Sequence, residues 1–322
     1  MEYRRLGRTE LRVSEIGFGT WGIGGGMWRG AKDQESLRAL HEAADLGVNF
    51  FDTALVYGNG HSEKLVGRFL RKRRERIYVA TKVPPKNGLW PARPGIPLEE
   101  VFPEDHVLRS AERSLRNLGL ETIDLLQFHV WNDEWLDGGD WYAPIERLKR
   151  EGKIRFFGVS INDHQPENAL QLIRTGLVDT VQVIFNIFDQ SPAERLFPLC
   201  LERDIGVIVR VPFDEGALTG KVTAGTVFPE GDFRKVYFRG DRKQQVEVRV
   251  EKLRAFLGSL AQTLPELALR FCLSWDAVST VIPGMRKVAH VRANCAVSDG
   301  RRLAPEVLQE LSAHAWNKNF YL

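Results

Sequence analysis

The feature that most constrains this chain is a rhythm. Short apolar, β-branched runs recur at 14–19, 48–52, 77–82, 123–129, 154–160, 178–183, 205–209 and 278–282, most of them followed by a longer segment with helical spacing. A strand that returns through a crossover helix to a parallel strand is the repeating unit of α/β folds, and eight such units in a chain of this size make one (β/α)8 TIM barrel. The 33–46 segment shows the helical pattern, with an acidic cap at Asp33, periodic apolar positions and a stop at Gly47. Ahead of the first run, 3–6 and 11–13 flank Gly7-Arg8-Thr9-Glu10, which reads as a β-hairpin closing the barrel bottom. Long loops follow strands three and seven, at 84–103 and 223–245, and loops of that length are commonly functional. No Pro/Gly/Ser-rich linker divides the chain, so residues 1–322 are expected to form a single domain.

Composition excludes several classes. With 43% hydrophobic and 27% charged residues the chain can bury a large core. A net charge of +3, from 45 basic and 42 acidic residues, is too balanced to imply a nucleic-acid partner. The basic run at 68–76 ends an amphipathic segment and reads as a solvated helix face. Cys200, Cys272 and Cys295 are too scattered for a disulfide framework or zinc site. There is neither a signal-like apolar start nor an apolar run of about eighteen residues, so a cytoplasmic protein with no membrane partner is expected.

Gly17-Phe-Gly19-Thr-Trp-Gly22 satisfies the G-x-G-x-x-G spacing of a dinucleotide fingerprint, but such a motif opens directly into a helix. Here Ile23-Gly-Gly-Gly-Met-Trp-Arg-Gly intervenes, and the glycines are read instead as allowing backbone to approach a ligand at a strand end.

Four polar residues stand at or just past the C-terminal ends of strands two, three and four: Asp52, Tyr57, Lys82 and His129. That is the face on which barrels build their sites. Carbonyl reduction needs a proton at oxygen, and tyrosine is a poor acid unless a cation stabilises its phenolate. Lys82 can supply that cation, Asp52 can compensate its burial, and His129 can orient the carbonyl or relay a proton. Taken singly, each has a structural explanation: a helix cap, a turn, a solvated lysine, a core histidine. Four such accidents at adjacent strand ends are less economical than one site. A hydrolase or isomerase with a metal on Asp52 and His129 lacks support, because there is no His-x-His or carboxylate cluster, and no metal is expected.

At these residues the chain resembles the aldo-keto reductase family over nearly its whole length. Phe51-Asp52-Thr53-Ala54-Leu55-Val56-Tyr57-Gly58 with Ser62-Glu63, Thr81-Lys82, and Ile123-Asp124-Leu125-Leu126-Gln127-Phe128-His129 are similar to family signatures. The resemblance implies a catalytic tetrad of Asp52, Tyr57, Lys82 and His129, and reduction of aldehydes or ketones by NADP(H) with Tyr57 as general acid. It places Thr20, Trp21 and Asp52 beside the nicotinamide, and Ser160 and Gln182 on its carboxamide. Ile161 separates Ser160 from Asn162, whereas many relatives have Ser-Asn in succession. Arg210-Val211-Pro212-Phe213 and Gly216 to Lys221 resemble the segment that wraps the pyrophosphate. Arg210 stands where many relatives stack an aromatic ring on the nicotinamide; a side chain turned toward Asp214 or Glu215 is the alternative. Gly284, Arg286, His290 and Asn294 resemble the adenosine-phosphate segment, with the last three on one helix face, which favours NADP over NAD. In relatives the place of His290 is often glutamine. Trp21, Trp90 and Trp131, with Tyr57 and His129, would wall an aromatic pocket for a small carbonyl substrate. The resemblance also extends to channel-associated β subunits that hold NADP(H) and act through a protein partner; a chain that starts at the hairpin, without an inactivating extension, argues against that reading.

Overall fold

The computed structural model of the protein describes residues 1–321. Strands β1 (Tyr3–Arg5) and β2 (Arg12–Ser14) pair antiparallel as a hairpin. Eight strands then lie parallel in sequence order: β3 (Phe18–Gly19), β4 (Phe50–Asp52), β5 (Tyr78–Val83), β6 (Ile123–Phe128), β7 (Ile154–Ser160), β8 (Thr180–Ile184), β9 (Gly206–Arg210) and β10 (Val278–Val281). The sheet closes through bridges from Ile16 to Val281 and Gly19 to Gly284, with the Gly17 amide donating to the Val281 carbonyl at 2.8 Å. This is a (β/α)8 barrel, as the rhythm of the sequence predicts.

The helices are α1 (Asp33–Asp45), α2 (His61–Leu70), α3 (Leu98–Val101), α4 (Glu104–Leu118), α5 (Ala143–Arg150), α6 (Leu170–Thr175), α7 (Leu196–Glu202), α8 (Phe233–Tyr237), α9 (Arg242–Leu253), α10 (Leu264–Leu273), α11 (Val288–Cys295) and α12 (Pro305–Ser312). Each helix on the barrel buries an apolar stripe against the strands. In α4 that stripe is Val107, Ala111, Leu115 and Leu118, and Gly119 ends the helix in the left-handed conformation. Asp33 does not cap α1: it is the first helical residue, and its carboxylate lies 2.9 Å from His61 Nε2.

The hairpin plugs the N-terminal end of the barrel. Leu6, Leu11 and Val13 are buried with the inward-facing Phe50, Ala80, Leu125 and Ile208. Gly7, at φ 50°, passes so close that an added Cβ would sit 2.2 Å from the Gly206 amide nitrogen. Two expectations change. The 223–245 segment is interrupted by the short α8 and ends in the start of α9, so it is not one open loop. The glycines of the rejected fingerprint serve packing: a Cβ on Gly19 would meet the Ile282 carbonyl at 2.5 Å, and one on Gly22 would meet Arg286 Cδ at 3.1 Å. They let β3 approach the last strand closely enough to close the barrel. Among the described residues, no helix is long and apolar enough to cross a membrane.

Candidate active site

All four of Asp52, Tyr57, Lys82 and His129 come together at the C-terminal mouth, because β4, β5 and β6 are hydrogen-bonded neighbours with Asp52 opposite Ala80 and Lys82 opposite Gln127. Lys82 is fully buried; its Nζ donates to Asp52 Oδ1 at 2.6 Å and to the Thr53 carbonyl at 2.8 Å. The second oxygen of Asp52 accepts from Gln182 Nε2 at 2.8 Å and from Gln127 Nε2 at 3.4 Å. The buried ion pair is thus fully hydrogen-bonded, which is the condition for tolerating such charges. Gln127 was visible in the sequence as the polar break in an apolar strand.

Tyr57 stands above this pair, with Lys82 Nζ 5.2 Å from its ring centroid. His129 meets the tyrosine edge-on at 5.8 Å between centroids, and Trp90 meets His129 edge-on at 5.5 Å. Trp21 stacks on Tyr57 at 6.2 Å and touches Trp28 and Phe233, so the mouth is walled by aromatic rings. Trp131 is not part of that wall. It is fully buried among Phe128, Trp135 and Trp141, with its indole N–H on Asp133.

Burial and the nearby Asp52 carboxylate push the Tyr57 pKa well up, and the Arg210 guanidinium opposes only part of that rise. Burial, then the charges of Lys82 and Arg210, hold His129 well below its ordinary range, so its imidazole is neutral. Its buried Nδ1 has no protein partner. Burial also pulls Lys82 down against the opposing attraction of Asp52.

Arg210 turns away from both acids considered in the sequence. Its Nη2 donates to Asp163 Oδ1 at 2.7 Å and to the Ile161 carbonyl at 2.9 Å, and its buried Nε is unpartnered. The reason is that Asp214 and Glu215 are already taken: Lys318 Nζ reaches Asp214 at 2.8 Å, and the Tyr321 hydroxyl donates to Glu215 at 2.6 Å. Burial pushes Glu215 up to about 7, against the pull of the Tyr321 hydrogen bond. Asp163 and Tyr321 had no motif to announce them; the demand of an arginine at the barrel mouth for a carboxylate was the available signal.

The other residues expected to meet a cofactor are distributed around the same rim. Thr20 is buried, its hydroxyl donating to the Asp52 carbonyl at 2.8 Å. Ser160, at the end of β7, and Gln182, in the middle of β8 rather than at its end, are register partners, both buried. After β9 the backbone is strained: Val211, Asp214 and Glu215 all have positive φ, and Asn186 Nδ2 holds the Val211 carbonyl at 3.0 Å. Pro212 and Phe213 lead into a 3-10 turn, Asp214–Thr219, in which Gly216 adopts φ 103°. The expected shared face of Arg286, His290 and Asn294 does not form, because Arg286 precedes α11 and Asn294 is buried. Arg286 instead donates to the Arg29 carbonyl at 2.7 Å, with its guanidinium over the Trp28 ring and Arg234 on the same indole.

These residues suit a dinucleotide. A Cβ on Gly216 or Gly284 would meet nothing within 4 Å, leaving open backbone on either side of the mouth. Burial together with Lys221, Lys287 and Arg286 lowers the His290 pKa, which marks a convergence of cations suited to phosphate. Among the described residues, no group of three His, Cys, Asp or Glu side chains could hold a metal ion.

The family model described as the aldo/keto reductase family matches residues 15–315. An NADH-specific methylglyoxal reductase of Escherichia coli is 31% identical over 307 residues, covering 90% of this chain and 91% of that protein. A probable voltage-gated potassium channel subunit beta of Arabidopsis thaliana is 29% identical, covering 97% and 95%. The holo form of an aldo-keto reductase from Bacillus halodurans superposes with a TM-score of 0.77 at 30% identity, covering 99% and 97%. The chain belongs to the aldo/keto reductase family, oxidoreductases that act on carbonyl compounds with a nicotinamide cofactor.

Proposed function

We propose that this protein reduces aldehydes or ketones to alcohols with NADPH, and that Tyr57 protonates the substrate oxygen. The observation that carries this reading is the buried Lys82–Asp52 pair beneath Tyr57, with a neutral His129 edge-on beside it. A tyrosine so placed can hand its proton to a carbonyl oxygen, and a neutral imidazole can donate a hydrogen bond that fixes that oxygen. Trp21, Trp90 and the tyrosine ring exclude water from one side. Bound across the rim, the dihydronicotinamide supplies the hydride to the carbonyl carbon.

Thr20, Trp21, Asp52, Ser160 and Gln182 would hold the nicotinamide end, and Arg210 would flank it. Val211, Pro212, Phe213, Gly216 and Lys221 would enclose the pyrophosphate, and Gly284, Arg286, His290 and Asn294 would receive the adenosine phosphate. The preference for NADP over NAD is supported by the cations at Lys221, Arg286 and Lys287, which converge on His290. The Escherichia coli relative is NADH-specific, so the preference belongs to this chain's own side chains. A fluorescence titration should give a lower Kd for NADPH than for NADH, and Arg286→Ala should erase most of the difference. Equal affinities in the parent protein would overturn the preference.

Tyr57→Phe should abolish turnover of a nitrobenzaldehyde and leave NADPH binding within about twofold. Full activity in that variant would sink the proton-donor assignment. The Arabidopsis relative named as a channel subunit favours one alternative, a redox-sensing binding subunit. Tight NADPH binding with no turnover across a broad carbonyl panel would select it.

A further inference from the structure

Asn162 stands near the Ser160 strand end, where the resemblance would look for a ligand of the nicotinamide carboxamide, yet both ends of its own carboxamide are already engaged. Its Oδ1 accepts from the Ala92 amide at 3.1 Å, and its Nδ2 donates to the Ala92 carbonyl at 3.1 Å and to Gln165 Oε1 at 3.0 Å. Both residues are buried. The amide thus completes a two-bond ring with the N–H and C=O of a single residue in the segment that joins β5 to α3. The preceding residue explains the placement. Ile161 extends the β7–β8 ladder by donating to the Gln182 carbonyl at 2.8 Å, and its own carbonyl is taken by Arg210, so the chain leaves the barrel one residue later.

The segment that Asn162 grips has few other anchors. Lys86 is tied to Val101, Gly95 to Glu134 and Ile96 to Trp135. Among the described residues, the hydrogen bonds tying 87–94 to another element are the pair at Ala92. Two residues before Ala92 comes Trp90, 40% exposed, which covers His129 edge-on at 5.5 Å. A side chain that exposed, with His129 as its ring contact, depends for its position on the backbone that carries it.

We propose that Asn162 is a positioning residue for the carbonyl substrate: by clamping Ala92 it holds Trp90 over His129 as a wall of the pocket, and it is not a ligand of the cofactor. The substrate part of this rests on the reductase reading. A wall that must be ordered during binding lowers affinity by the entropy of ordering it.

The test compares Asn162→Ala and Asn162→Asp with the parent. Asp keeps an acceptor for the Ala92 amide but sets a second oxygen against the Ala92 carbonyl. For both, we expect KM for a nitrobenzaldehyde to rise tenfold or more, kcat to fall less than threefold, and NADPH Kd to stay within twofold. Amide hydrogen exchange in 87–94 should quicken while the barrel strands keep their protection. A raised NADPH Kd with KM unchanged would overturn the proposal in favour of a cofactor ligand, and unchanged exchange in 87–94 would overturn the clamp. Should both variants fail to fold, Trp90→Ala should reproduce the KM effect with NADPH Kd unmoved, and an unaffected KM would again overturn it. If the parent shows no turnover at all, the reductase reading fails, while the exchange measurement still decides the clamp.

Discussion

Tyr57 is raised by burial and by Asp52 and lowered by Arg210. From the sequence, the stabilising cation is expected to be Lys82. In the fold Lys82 is paired with Asp52 at 2.6 Å, and a second cation, Arg210 at the end of β9, opposes part of the rise that burial and Asp52 impose on Tyr57. The four residues were legible as strand-end polar positions; the source of the field was not, because it depends on which carboxylate an arginine finds across the mouth. Replacing Arg210 by Met together with Asp163→Asn removes both charges of that pair. The Tyr57 proton should then be held more tightly, so the alkaline fall of kcat/KM for carbonyl reduction should move to higher pH, with roughly a tenfold loss at neutral pH. An unmoved pH profile would show that Arg210 does not act on the proton donor. For Lys82, Lys82→Met strands the Asp52 carboxylate in the barrel, which should cost about 3–5 kcal/mol in denaturant unfolding. Lys82→Met with Asp52→Asn should recover most of that loss.

Elements were read well where periodicity is strong and less well where packing decides. The eight parallel strands and the hairpin follow from apolar alternation, with ends displaced by a few residues: the 14–19 run divides into the end of β2 and the two-residue β3. That division serves closure, since Gly17 and Gly19 must press against Thr280 and Ile282. The 223–245 segment looked like a loop because Gly225, Pro229, Gly231 and Gly240 interrupt it, yet Phe233 donates its amide to Met27 and Asp232 caps the short α8. The hairpin gives the sharpest test at this scale. Gly7→Ala adds a Cβ against the Gly206 backbone at a positive φ, so it should lower stability by about 2 kcal/mol or more. Leu6→Ala should cost about 2–5 kcal/mol through the cavity it leaves under the barrel. Neither change should move the KM of a bound aldehyde, because both sit at the opposite end of the strands.

Across the whole molecule, residues 318–321 return to the mouth. Lys318 pairs with buried Asp214, Tyr321 bonds Glu215, and Arg242 donates to the Phe320 carbonyl, which fastens the C-terminal segment over the strained turn after β9. No sequence motif joins residues a hundred positions apart, so this fastening was not legible. It makes stability depend on pH with a defined sign. Glu215 has a folded pKa near 7 against an ordinary 4.5, so the folded chain holds a proton that the unfolded chain has released between those values. Stability should therefore fall as pH rises through that window, by up to about 3 kcal/mol from this group. Glu215→Gln should flatten the decline in a series of thermal melts from pH 5 to 8; an unchanged slope would mean the carboxyl is ionised throughout. The central claim concerns the chemistry at Tyr57, and the most direct measurement is isotopic. NADPH carrying deuterium at both positions of the reactive nicotinamide carbon is incubated with a nitrobenzaldehyde, and the alcohol is analysed by mass spectrometry and NMR. The account predicts one deuterium on the carbinol carbon with the parent protein and none above background with Tyr57→Phe; alcohol formed without deuterium, or equally fast deuterium transfer by Tyr57→Phe, would contradict it.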